Sequence, residues 1–308
     1  MQLAASARNR KILFTLVAAT MLCAAPLHAA DETGYTIRSS VSEVRLAFAA
    51  TDPRGSVVKT LRPADVAIAD NGEIIRHFRS FHAASESPLD LVILIDASDS
   101  MRSQLQSEID EVKSVVEGST WGERDRISIL SFGGLRPVQL CLRNCSTQTA
   151  QAKLTTLRAS GATPLYDALF EGAEILKDGR DPEARPAMIL FSDGVDTSSM
   201  NTIFDAVEAA QNRQAAIYCV NSRPRKSAPS GDMVLEQLAW STGGLSFAPG
   251  QKVEEALRKV VEDLRGGYVL TYDLPEQTAG QHTVQVLPTS DARLRFRARL
   301  AYDERGSE

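Results

Sequence analysis

Aromatic side chains are scarce in this sequence, at 6% of 308 residues, and only two are tryptophan. A surface that stacks nucleobases needs more of them. Positive charge is also short. Thirty-four Lys and Arg stand against 39 Asp and Glu, a formal net charge of −5, so polyanions meet no general attraction and no nucleic-acid partner is expected. Histidine is rare, with four in all, and none lies near Cys141, Cys145 or Cys219. A zinc site of four nitrogen and sulfur ligands is therefore not expected. No Gly-x-Ser-x-Gly nucleophile elbow occurs.

No apolar run is as long as a bilayer span requires. The nearest is Ile12 to Ala25, preceded by Arg8, Arg10 and Lys11 and followed by the small residues Ala29 and Ala30. That layout predicts a secretory signal peptide over residues 1–30. Its removal takes away basic residues and no acidic ones, and leaves no integral membrane segment. The protein is then exported, periplasmic or extracellular. In such a compartment Cys141 and Cys145 can form a local disulfide or remain two thiols. Cys219 sits in the apolar run Ala215 to Val220 and reads as core.

What is present is 43% hydrophobic and 24% charged residues, ordinary for a chain that buries a real core. From Tyr35 to Phe81 the pattern is short strands and turns. Val44 to Phe48 alternates with period two, Asp70-Asn71-Gly72 suits a tight hairpin, and Ile74 to Phe81 reads as one half-exposed strand. The middle is different. Leu91–Ile95, Ile127–Leu130, Met188–Phe191 and Ile217–Val220 are continuous apolar runs, as in strands covered on both faces. Between them lie amphipathic stretches at 105–116, 165–176, 203–211 and 233–240, with a last helix over 253–264 that Gly266-Gly267 should end in the left-handed conformation. Alternation of this kind predicts an α/β fold with a doubly wound, largely parallel sheet. The tail returns to β over 268–273, 283–287 and 294–302. In the last, Arg293, Arg295, Arg297 and Arg299 share one face, which reads as solvated. Neither β segment has strands enough to stand alone, so the two are expected to form one small β-sandwich. The only linker-like stretch is 83–88. The expected boundaries are 1–30 for the signal, 31–87 for the N-terminal β segment, 88–266 for the α/β domain and 267–308 for the C-terminal β segment.

The first buried run ends in Asp96-Ala97-Ser98-Asp99-Ser100. Ligands of open α/β sheets sit at the carboxyl ends of strands where the winding reverses. One carboxylate and two hydroxyls there make a hard-oxygen site, suited to Mg²⁺ or Mn²⁺ and not to zinc or copper. Two further loops carry Thr163, ahead of Pro164 at a helix start, and Asp193, in Ser192-Asp193-Gly194 after the strand Met188–Phe191.

Asp96-x-Ser98-x-Ser100, then Thr163, then Asp193-Gly194 resemble, position by position, the metal-ion-dependent adhesion site (MIDAS) of von Willebrand factor A domains. The resemblance spans about Pro88 to Gly266, and the flanking β segments are similar to those of bacterial exported proteins related to that family. It implies an intact MIDAS in a Rossmann-like domain. Ser98, Ser100 and Thr163 would hold Mg²⁺ (or Mn²⁺ or Ca²⁺) directly, with Asp96 and Asp193 direct or through water. A protein partner's Asp or Glu carboxylate would complete the shell. Asp99 departs from the pattern, where many members carry glycine, and is expected to add negative charge near the ion. The expected function is adhesion or scaffolding, not catalysis. Two alternatives are a Mg²⁺-dependent phosphatase-type hydrolase using Asp96, and a structural domain with no metal role. The hydrolase lacks an evident acid, because Ser98 stands two residues after Asp96.

Overall fold

The computed structural model describes residues 43–118, 121–143, 145–177, 181–221, 223, 231–274, 279–289 and 293–304. The expected signal peptide lies outside them. The chain opens with β1 (Glu43–Thr51), β2 (Val66–Asp70), β3 (Glu73–Ile75) and β4 (Ser80–Ala83). It continues through β5 (Leu89–Asp96), α1 (Leu105–Glu117), β6 (Arg126–Phe132), β7 (Val138–Cys141), α2 (Thr147–Leu154) and α3 (Leu165–Lys177). Then come β8 (Arg185–Phe191), α4 (Ile203–Asn212), β9 (Ala216–Val220), α5 (Asp232–Thr242), β10 (Ser246–Phe247) and α6 (Val253–Gly266). It closes with β11 (Tyr268–Asp273), β12 (Gly280–Pro288), β13 (Arg295–Ala298) and β14 (Ala301–Glu304). Among the described residues no helix is long and apolar enough to cross a membrane.

The apolar runs become the sheet expected of them. Its order is β10-β9-β8-β5-β6-β7, parallel except for β7 at one edge. Every residue of β5 and β8 is buried, because helices cover both faces. Leu105, Ile109, Val112 and Val116 of α1, with α2 and α6, pack against Leu91, Ile93 and Ile95. The apolar stripes of α3, α4 and α5 pack against Val92, Leu94, Met188 and Leu190 on the other face. Burial of this kind contributes roughly 1.5–3 kcal/mol per large side chain. The helix α4 starts with a capping box, in which Thr202 Oγ1 accepts from Asp205 N–H and the Asp205 carboxylate accepts from Thr202 N–H. Neither β7 nor α2 is evident in the sequence, the first being too short and the second weakly amphipathic. Between them Cys141 and Cys145 are joined as a disulfide. Cys219 is fully buried, which pushes its thiol pKa up.

The flanking strands form two antiparallel four-stranded sheets, β13-β1-β11-β4 and β14-β12-β2-β3. Each contains strands from both ends of the chain, since β1 pairs with β11 and β2 with β12. Phe48, Ile68, Leu270, Tyr272 and Val286 are among the side chains that fill the space between them. At the centre is Asp70. Its Oδ1 bonds His282 Nδ1 at 2.6 Å, and its Oδ2 accepts from the hydroxyls of Tyr272 and Tyr302. Four strands from the two sheets thus meet at one buried carboxylate.

Several local expectations are overturned. The run 74–81 is two strands in different sheets, β3 and β4, not one. The run 294–302 likewise divides into β13 and β14, which sit in opposite sheets. The arginine row is solvated only in its first half: Arg293 and Arg295 are exposed, but Arg297 and Arg299 are not. Arg297 donates to the Gly243 and Gly244 carbonyls and pairs with Asp263 of α6. Arg299 is buried, donates to the carbonyls of Gln211 and Arg45, and lies over the Tyr302 ring. These cations tie the β13–β14 corner to the α/β layer, a use that alternation alone does not disclose. Gly267 leaves α6 in extended conformation, not left-handed (φ −82°, ψ −164°). Glycine is needed there for space. A Cβ on Gly266 would lie 2.6 Å from Val57 Cγ1, and one on Gly267 would lie 2.7 Å from the Phe48 carbonyl oxygen. The stretch 83–88 is no loose linker either, for Ala84 and Ser87 are buried and Ala84 N–H donates to the Gly267 carbonyl.

Replacing Asp70 by Ala strands three buried polar partners. The expected loss is about 3 kcal/mol in equilibrium urea unfolding. A change of less than about 1 kcal/mol would show that the network contributes little.

Candidate metal centre

The strand β5 is flanked by β6 on one side and β8 on the other, so the chain's winding reverses at β5 and its exit loops part there. Asp96 is the last residue of β5 and is fully buried. Both its oxygens are held. Oδ1 accepts from Ser98 N–H at 3.0 Å, and Oδ2 accepts from the Ser192 hydroxyl at 2.7 Å. Burial pushes its pKa up to about 6, the nearby Asp193 charge adds to this, and the hydrogen bonds from Ser98 and Ser192 oppose it.

The sequence pointed to five residues, and the fold gathers them. Ser98 is buried and Ser100 is exposed, and their hydroxyl oxygens lie 3.1 Å apart. Ser100, Thr163 and Asp193 line one open pocket of about 530 Å³, together with Gly161, Thr197 and Arg223. Thr163 and Asp193 are themselves buried. Neighbouring oxygens around an octahedral ion at 2.0–2.1 Å are about 2.9 Å apart, so the Ser98–Ser100 spacing suits two positions of one such shell. All five donors are oxygen, and two are carboxylates. Among the described residues no group of three or more His, Cys, Asp or Glu gathers as a metal site. The donor set here, with three hydroxyls, belongs to a different chemistry, that of hard cations.

Neighbouring loops fix these side chains. Thr163 exchanges two hydrogen bonds with Thr197. Its N–H donates to Thr197 Oγ1 at 2.8 Å, and its carbonyl accepts from Thr197 N–H at 3.0 Å. The helix α3 then begins with Pro164 just before it, a residue with no N–H to satisfy. The next N–H groups go to the loop after β8. Leu165 N–H donates to Asp196 Oδ1, and Tyr166 and Asp167 N–H donate to Ser199 Oγ. Asp167 in turn accepts from Met200 and Asn201 N–H. One loop thus caps the helix that presents Thr163 and also carries Asp193.

Asp99, expected to add negative charge near the ion, has its carboxylate engaged by its neighbours beside the pocket. Its Oδ2 accepts from Gly161 N–H at 3.0 Å, its N–H donates to the Gly161 carbonyl at 3.1 Å, and its Oδ1 pairs with Arg102. It fastens the serine loop to the threonine loop. Gly161 has φ +76°, and a Cβ there would lie 2.7 Å from Gly134 Cα. A second tight contact lies behind Asp193, where Gly194 (φ +79°) packs on Gly231 (φ +70°) and a Cβ on Gly194 would meet the Gly231 carbonyl oxygen at 2.3 Å.

Ser192, Asp196, Thr197, Ser199 and Arg223 were not singled out from the sequence. The first four follow β8 closely, and a polar cluster at a strand's carboxyl end is the signal that could have found them. Arg223 opens the basic stretch 223–226, of which 224–226 lie outside the described residues. Its side chain is only 16% exposed, and its Nη1 lies 3.9 Å from Asp193 Oδ2.

Residues 91–195 match the family model of the von Willebrand factor type A domain. No curated protein matches the sequence. Among solved structures, the chain is similar to proximal thread matrix protein 1 from the mussel byssus, with 16% identity over 59% of this chain and 49% of that one and a TM-score of 0.48. The match therefore spans about half of the mussel protein. A von Willebrand factor type A protein from Catenulispora acidiphila shows 15% identity over 87% of this chain and 74% of its own, with a TM-score of 0.49. The von Willebrand domain of a type V pili tip protein from Porphyromonas gingivalis shows 14% identity over 57% and 94%, also at 0.49.

Gly194→Ala forces a side chain into a left-handed residue against backbone. We expect a loss of about 2 kcal/mol or more in urea unfolding. A loss below about 0.5 kcal/mol would mean that the Gly194–Gly231 contact yields freely.

Proposed function

We propose that this chain is an exported binding protein that holds one divalent cation at Asp96, Ser98, Ser100, Thr163 and Asp193 and docks a carboxylate of a protein partner there. Mg²⁺ is the first choice by donor chemistry, with Mn²⁺ and Ca²⁺ as alternatives. The observation that carries the reading is the 3.1 Å approach of the Ser98 and Ser100 hydroxyls at the edge of a pocket that Thr163 and Asp193 also line. The match of residues 91–195 to the von Willebrand factor type A model supports it.

The protein's own groups do the positioning. Ser192 and the Ser98 N–H orient Asp96, Asp99 holds the serine loop against Gly161, and Thr197 holds Thr163. With Ser98, Ser100 and Thr163 as its direct ligands and Asp96 and Asp193 reaching it through water, the cation would be under-neutralised and would offer an incoming Asp or Glu an open, attractive position. The pocket's open side leaves room for that side chain. No bond is made or broken in this role. The domain 88–266 carries the site, and the strands of 31–87 and 267–308 form its companion sandwich.

Isothermal titration with Mg²⁺ and Mn²⁺ tests the site. Wild type should bind one equivalent, and Ser98→Ala/Ser100→Ala should not. Ser192→Ala, which frees the Asp96 carboxylate from its holder, should weaken binding by about 10–100-fold. Unchanged heats in the double variant would refute the assignment. Capture of a partner from extracts should need the metal, and should be lost with EDTA and in Asp96→Ala.

A further inference from the structure

A cation already stands at this site. Arg223 follows β9 by three residues, and its backbone is fixed at both ends. Its N–H donates to Asn221 Oδ1 at 3.1 Å, and its carbonyl accepts from Gly250 N–H at 2.7 Å. Asn221 is itself tied to Asp232, the first residue of α5, at 2.8 Å. From that anchored backbone the guanidinium reaches into the pocket that Ser100, Thr163 and Asp193 line, 3.9 Å from Asp193 Oδ2. The other oxygen of Asp193 accepts from Val195 N–H at 3.1 Å.

Two carboxylates at one buried point repel each other, and burial sharpens the repulsion. Asp193 and Asp96 are both buried and leave neighbouring parallel strands, in which Ile95 pairs with Phe191. A positive charge near them relieves that repulsion in the absence of metal. Among the described residues lining this pocket, Arg223 is the cation. A guanidinium stays charged in proteins, so it cannot escape a rival cation by losing its proton. It must move away or be tolerated at a cost.

We propose that Arg223 is the built-in counter-cation of Asp193, which a divalent ion has to displace, so that this arginine sets the threshold of metal binding. The inference rests on the metal site proposed above. Arg223 supports the empty site and opposes the filled one. The two effects have opposite signs, and a merely structural arginine would show only the first. Displacement also leaves the guanidinium at the pocket's open side, where an entering carboxylate would meet it.

The test uses the full mature chain and Arg223→Gln, which keeps the length of the side chain and drops its charge. Melting is measured in EDTA and in excess Mg²⁺, and Mg²⁺ binding by isothermal titration. In EDTA the variant should melt about 2–4 °C below wild type, the size expected for one lost ion pair in a chain of this length. It should nevertheless bind Mg²⁺ about tenfold more tightly, the order that Coulomb repulsion between a divalent ion and a guanidinium a few ångströms away gives in a wet pocket. Arg223→Lys should stay close to wild type in affinity. Equal or weaker Mg²⁺ binding by Arg223→Gln, with wild type still binding, overturns the counter-cation and leaves the metal site standing. Absence of binding by both proteins overturns both.

Discussion

A carboxylate placed in the interior between two parallel strands is the constraint on which this site depends. Asp96 ends β5, has no exposure, and is held by the Ser98 N–H and by Ser192 at the end of the neighbouring β8. Burying a charged group is costly unless it is paired or hydrogen-bonded. Burial pushes the Asp96 pKa up to about 6 even with hydrogen bonds from Ser98 and Ser192 opposing it. The surrounding architecture follows from keeping that charge in place. Adjacent parallel strands bring Asp96 and Asp193 to the same edge, and the reversal of winding at β5 opens the space above them.

Around this point the polar contacts run between loops far apart in sequence. Asp99 joins the serine loop to Gly161, and the loop after β8 caps α3 through Asp196, Thr197 and Ser199. Each loop is therefore held by another that also contributes to the site. Such mutual support is how a site on loops gains the rigidity of one built on strands. The sandwich contributes at a distance. Its last turn sends Arg297 to Asp263 of α6, and Asp263 also accepts from the Tyr218 hydroxyl in β9. The C-terminal strand β13, the last helix and the sheet are thereby joined through one buried carboxylate.

The sheet was legible in the sequence because a strand buried on both faces leaves a continuous apolar run, as Leu91–Ile95 and Met188–Phe191 do. Every helix but α2 was legible through its spacing. The placing of the five oxygen-bearing residues at one edge could be anticipated because each lies within five positions after such a run or just before a helix start. Failures came where a single pattern served two structures. The alternation of 294–302 looked like one strand and is two, since the chain turns at Arg299 and Leu300 from one sheet to the other. The arginines looked solvated because alternation reports a shared face and says nothing of what lies opposite. Arg223 was invisible for a similar reason: its partner Asp193 is thirty positions away in sequence and joined to it only by the fold.

Diffraction from crystals soaked in Mn²⁺, with anomalous data, tests the central claim most directly. The account predicts one strong peak at the carboxyl edge of the sheet, about 2.1–2.2 Å from the Ser98 and Ser100 hydroxyl oxygens, with Thr163 and Asp193 closing around it. A well-ordered crystal with no peak there, or with manganese bound elsewhere on the chain, would contradict it.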